Sequence, residues 1–93
     1  MDNKVLAICD ADKRFALKLM EVFCSRKNLG FIVHAFSDLE EFKQFAQENQ
    51  LEILLITGRL MREEFQNYNI GKIVLLSDGE IYEEFLDYET IYK

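Results

Sequence analysis

The sequence predicts an α/β domain, a doubly wound five-stranded parallel sheet in the order 2-1-3-4-5, and three observations predict it. Short apolar runs recur at residues 5–9, 31–36, 53–57, 73–77 and 90–92. The first, third and fourth are continuously apolar rather than alternating, as parallel strands covered on both faces are. Between the runs lie segments with apolar residues at helical spacing, so the chain reads βαβαβαβαβ.

Each element has its own signal. Over residues 12–27, Phe15, Leu19, Val22 and Phe23 fall at helix spacing, Ala16 and Met20 widen the stripe, and Asp12 is placed to cap the start. The second helix is announced by Ser37 as N-cap with Glu40 three residues on, a capping box, and its stripe is Leu39, Phe42, Phe45 and Ala46. Gly58 opens a third helical stretch with Met61, Phe65 and Tyr68 inward, closed by Asn69, Ile70 and Gly71. A fourth is expected over residues 80–87, with Ile81, Phe85 and Leu86 inward. Right-handed crossovers leave few windings, and the flavodoxin-like order is the natural one for five strands. The chain stops at Lys93 on the fifth strand, before a fifth helix, so residues 1–93 are expected to be one truncated domain from a longer chain.

Charge narrows the partners. With 17 acidic and 11 basic residues the net charge is −6, which argues against nucleic acid and anionic membrane surfaces. No apolar run approaches the roughly 18 residues of a membrane span. The N-terminus lacks a signal-peptide layout, so a cytoplasmic location is expected. Glu40-Glu41, Glu63-Glu64 and Glu83-Glu84 read as solvated faces, or as a docking surface for a basic partner. His34, in a peripheral strand, reads as solvent-facing. Cys9 and Cys24 form no CxxC and read as buried small apolar residues rather than zinc ligands. The glycines at 30, 58, 71 and 79 form no nucleotide-binding loop.

Ligands of such sheets sit outside the carboxyl ends of the strands, near the switch point between strands one and three. Asp10, Ala11 and Asp12 follow the first strand, Thr57 ends the third, Ser77 ends the fourth and Lys93 ends the fifth. This set resembles the receiver domain of two-component response regulators (the CheY-like fold). The resemblance implies an acidic pair holding Mg²⁺ after the first strand and a phosphoacceptor Asp at the end of the third. It also implies a Ser or Thr after the fourth strand and a Lys after the fifth. Asp10, Ser77 and Lys93 match. Ala11 stands where the second acid belongs, and Thr57 where the acceptor belongs. Thr57 cannot form an acyl phosphate, and its hydroxyl is a poor nucleophile without a base. Two lost carboxylates also remove two hard oxygen ligands, so no metal or other cofactor is expected. Lys93 either is solvated or pairs with Asp10.

Two chemical rivals are open. One is a phosphocarrier or phosphatase using Cys9, but Asp10-Ala11-Asp12-Lys13-Arg14 would set two carboxylates against a phosphate, and Phe15 stands where the phosphatase Arg is needed. The other is a true phospho-receiver with a shifted acceptor among Asp10, Asp12 or Asp78, none of which ends the third strand. The reading that follows is a pseudo-receiver, a non-enzymatic interaction module. Ile8-Cys9-Asp10-Ala11-Asp12 and Ile91-Tyr92-Lys93 are similar to the atypical N-terminal receiver of TadZ/CpaE-type pilus-assembly proteins. That resemblance implies a dimerisation or localisation role beside a ParA/MinD-like ATPase domain. Without a fifth helix, Leu75, Ile91 and Tyr92 are expected to form an uncovered apolar contact face, leading to a homodimer or to docking of that ATPase domain.

Overall fold

The longest continuous apolar runs form the middle of a sheet whose five strands are all parallel, in the order β2-β1-β3-β4-β5. The structure, a computed structural model, describes residues 4–25, 30–77, 79, 83–85 and 87–92. The elements are β1 (Lys4–Cys9), α1 (Lys13–Cys24), β2 (Phe31–Phe36), α2 (Leu39–Glu48), β3 (Leu51–Thr57), a 3₁₀ helix at Glu63–Asn67, β4 (Ile70–Ser77), a 3₁₀ turn at Glu83–Phe85 and β5 (Glu89–Tyr92). The flavodoxin-like winding read from the sequence is the one observed. No described helix is long and apolar enough to cross a membrane.

Parity along the strands separates two cores. Leu6, Ile8, Leu55, Val74 and Leu76 are buried on the side where α1 packs through Phe15, Leu19, Met20 and Phe23. Ala7, Cys9, Leu54, Ile56 and Leu75 are buried on the other, under Phe42 and Ala46 of α2, Phe65 and Phe85. Aromatic edges organise the second core: Phe42 meets Phe65 at 5.2 Å and Phe36 at 5.7 Å between ring centroids, both T-shaped.

Local chemistry sets the helix starts. Asp12 caps α1 as expected, its side chain accepting from the Phe15 N–H at 3.2 Å. At α2 the cap is Asp38, not Ser37: its Oδ1 accepts from the Glu40 N–H at 2.8 Å. Helix spacing over residues 58–71 yields only the 3₁₀ helix at Glu63–Asn67, and Ile70 and Gly71 belong to β4. Gly71 there runs close to β3, where a Cβ would lie 2.8 Å from the Glu52 carbonyl oxygen. Of the expected fourth helix the described residues show a 3₁₀ turn at Glu83–Phe85, with Phe85 buried; Ile81 and Leu86 lie outside the described residues.

The uncovered face also needs correction. Leu75 pairs with Ile56 and is buried beneath the α2 side, whereas Ile91 pairs with Leu76 on the α1 side. Leu75 and Ile91 therefore cannot share a contact face. Leu55, Val74 and Leu76 on the α1 side are buried as well, so among the described residues of β3, β4 and β5 on that side the exposed large apolar side chain is Ile91, at 51%. Tyr92, also exposed, pairs with Ser77 and so belongs to the opposite face from Ile91. His34 is half-buried, its ring 4.7 Å from Phe45, because β2 lies under α2 rather than open to solvent.

Candidate functional site

Sheet register brings the carboxyl ends of β1, β3 and β4 to one edge. Cys9 pairs with Ile56, which sets Asp10 level with Thr57. Thr57 in turn pairs with Leu76, the residue before Ser77, and the Gly58 N–H donates to the Leu76 carbonyl at 3.3 Å. Asp10, Thr57 and Ser77 are 2%, 8% and 4% exposed, and they are the buried polar residues among those described. Burial of polar groups is costly unless they are satisfied. Concentrating them at this one edge marks it as the chemically distinct part of the molecule.

Each of the three is held by local backbone. The Asp10 N–H donates to the Phe36 carbonyl at 3.0 Å, which extends the β1–β2 ladder by one residue. Its Oδ1 accepts from the Asp12 N–H at 2.9 Å, an Asx turn that folds the chain from strand into helix. The Thr57 carbonyl accepts from the N–H groups of Leu60 and Met61, at 3.0 and 3.2 Å, turning the chain away from β3. Ser77 Oγ accepts from the Gly79 N–H at 3.1 Å, and Gly79 has φ +112°, a conformation side-chain-bearing residues rarely adopt. Ala11 and Asp12 are exposed, and Asp12 is committed to the α1 cap. Lys93 and Asp78 lie outside the described residues.

The donor chemistry does not fit the Mg²⁺ that a receiver resemblance implies. Asp10 offers one buried carboxylate, Ala11 a methyl group, and Thr57 a hydroxyl in place of a carboxylate. No group of three or more His, Cys, Asp or Glu side chains among the described residues could hold a metal ion.

Cys9 stands one residue before this edge and is fully buried. Burial, then the nearby charges of Asp10 and Asp38, push its thiol up from the ordinary 9.0 to about 12. A nucleophilic thiol needs the opposite shift, toward thiolate at neutral pH. Asp38 is the contributor that sequence reading missed, since attention to Ser37 hid the carboxylate beside it. Cys24, read as buried, is exposed near the end of α1.

The two thiols should therefore behave differently. An aromatic disulfide reagent at pH 8 should modify one thiol rapidly in the native state, removed by Cys24→Ser, and two in denaturant. The Cys9 shift also predicts a pH dependence. The unfolded chain loses this proton near pH 9 and the folded chain keeps it to about pH 12. Stability from this group is thus complete below pH 9 and falls above it, by at most about 1.4 kcal/mol per pH unit. Denaturant titrations of the wild type and Cys9→Ala at pH 8 and pH 10 should show the gap between them shrinking at the higher pH. A gap that does not shrink contradicts the assignment.

No family model, no curated protein and no solved structure matches the chain. The fold and the edge described above therefore carry the functional reading.

Proposed function

We propose that this chain is a receiver-like domain kept as a protein-interaction module, one that does not take up a phosphoryl group. The observation that carries the proposal is Thr57 at the buried carboxyl end of β3, level with Asp10, where a phosphoacceptor would need a carboxylate. A hydroxyl there accepts no phosphoryl group from a small donor without a base and a metal to activate it. On this reading Asp10 and Ser77, both buried at the strand ends, stand at positions that the receiver resemblance calls for, while the reactive carboxylate is replaced. That combination favours a fold retained for contact. The enclosed Cys9 thiol, raised rather than lowered, weighs against the phosphocarrier and phosphatase alternative.

In its most specific form the proposal makes the domain a dimerisation or localisation module of a TadZ/CpaE-like pilus-assembly protein, working in the cytoplasm beside a ParA/MinD-like ATPase. The likeness of residues 8–12 and 91–93 supports this form. Reading the gene beyond Lys93 tests it: a nucleotide-binding ATPase segment there supports it, and an immediate stop codon contradicts it.

Incubation with acetyl phosphate and Mg²⁺, followed by intact mass spectrometry, tests the general form. The wild-type chain should show no phosphoryl adduct. A Mg²⁺-dependent, base-labile adduct would overturn the proposal.

A further inference from the structure

Charge is segregated across the sheet. The first described group, residues 13–24, holds three basic side chains, Lys13, Arg14 and Lys18, against one acidic, Glu21, whereas the second, residues 39–48 with 63–67, holds five acidic against one basic, Lys43. The first group includes α1, which packs on one face of the sheet. The second includes α2 and the 3₁₀ helix at Glu63–Asn67, whose buried Phe42 and Phe65 pack on the other. On α1, Arg14, Leu17, Lys18 and Val22 all face solvent, with Leu17 41% and Val22 48% exposed. Spacing of three and four residues puts Arg14, Leu17 and Lys18 on one stripe, with Val22 four residues beyond Lys18. Glu21, also exposed, lies four residues from Leu17 and three from Lys18, so α1 presents a mixed face in which basic and apolar side chains surround a single carboxylate.

From this we propose that α1 of one copy docks on the acidic α2 side of a second copy, head to tail. The inference rests on the interaction-module reading and names its partner and surface. Charge complementarity selects the occupant. Glu40 and Glu41 on α2 and Glu63 and Glu64 on the 3₁₀ helix are exposed, and Lys43, which bridges Glu64 at 3.1 Å and Glu40 at 4.0 Å, neutralises only part of that charge. The sheet lies between the two faces, so the α2-side carboxylates of one copy cannot reach its own α1. The complementary surface must come from another molecule, and every copy carries one. Because the two contacting patches differ, the contact is heterologous and propagates into rings or chains rather than closing as a two-fold dimer.

Sedimentation velocity over a wide concentration range tests this. Near 0.1 M salt the average mass should rise past the dimer. It should return to the monomer near 1 M, where the screening length falls from about 10 Å to about 3 Å. The pair Arg14→Glu and Lys18→Glu should weaken association at least tenfold with an unchanged circular-dichroism spectrum. The pair Glu41→Lys and Glu63→Lys should do the same. An equimolar mixture of the two double variants should associate again, since each then supplies the complement the other lacks. Two results would overturn the inference. One is a monomer under all conditions. The other is a salt-insensitive dimer indifferent to both reversals, which would leave the interaction-module reading standing on another surface.

Discussion

Phe42→Ala should remove about 3–5 kcal/mol of stability, the usual cost of emptying a fully enclosed aromatic site. Phe42 has no solvent exposure, and its ring is wedged edge-on between Phe65 and Phe36. It belongs to α2, while Phe65 belongs to the 3₁₀ helix and Phe36 to β2, so one side chain ties three elements to the face that carries Cys9 and Leu75. A domain of this size has a total stability of roughly 5–15 kcal/mol, so the variant should sit near the limit of folding. With a urea slope of about 1 kcal/mol per M, the midpoint should fall by several molar or vanish from the accessible range. Phe42→Leu keeps most of the volume and should lose clearly less. A Phe42→Ala variant within about 1 kcal/mol of the wild type would mean that the α2 core is not packed as described.

Thr57→Asp should cost about 2–4 kcal/mol at neutral pH, because a second carboxylate would be buried level with Asp10. Desolvation and the like charge raise such a carboxyl above its unfolded value near 3.9. The sign follows: below about pH 4 both states are protonated and the penalty is small, and stability is lost as pH rises toward the folded-state value. Thr57→Asn has a similar shape without a charge and should show little of this dependence. Thermal melts of both variants between about pH 4 and pH 8 would check it. Equal pH profiles would mean that position 57 is not a desolvated neighbour of Asp10.

The sheet was legible because its signal is coarse. Residues 5–9, 53–57 and 73–77 are apolar without alternation, as strands covered on both faces are, and handedness then left few orders, of which the flavodoxin-like one is natural for five strands. Strand-end positions follow from that order, and Asp10, Thr57 and Ser77 are buried at the carboxyl ends of β1, β3 and β4. Finer features were hidden for identifiable reasons. Met61, Phe65 and Tyr68 are spaced four and three apart, which suits an α-helix and does not exclude a short 3₁₀ turn in an extended connection. Ser37 and Asp38 are both good caps, and the acid three residues after Ser37 favoured the wrong one. Leu75 and Ile91 do not share a face because a one-residue change of parity exchanges the two faces of a strand, and parity is known only once Leu75 is seen opposite Ile56 and Ile91 opposite Leu76. Cys24, read as buried, and Val22, read as part of the inward stripe, both face solvent on α1.

The receiver-like reading proposed for this edge is tested most directly by restoring the two carboxylates that the resemblance calls for. Ala11→Asp combined with Thr57→Asp returns an acid to each family position, with Asp10 and Ser77 already in place beside them. After incubation with acetyl phosphate and Mg²⁺, intact mass spectrometry of the folded double variant should show a single phosphoryl adduct that is Mg²⁺-dependent and base-labile, while the wild type remains unmodified. A folded double variant that stays unmodified, or a wild-type chain that becomes phosphorylated, would contradict the account.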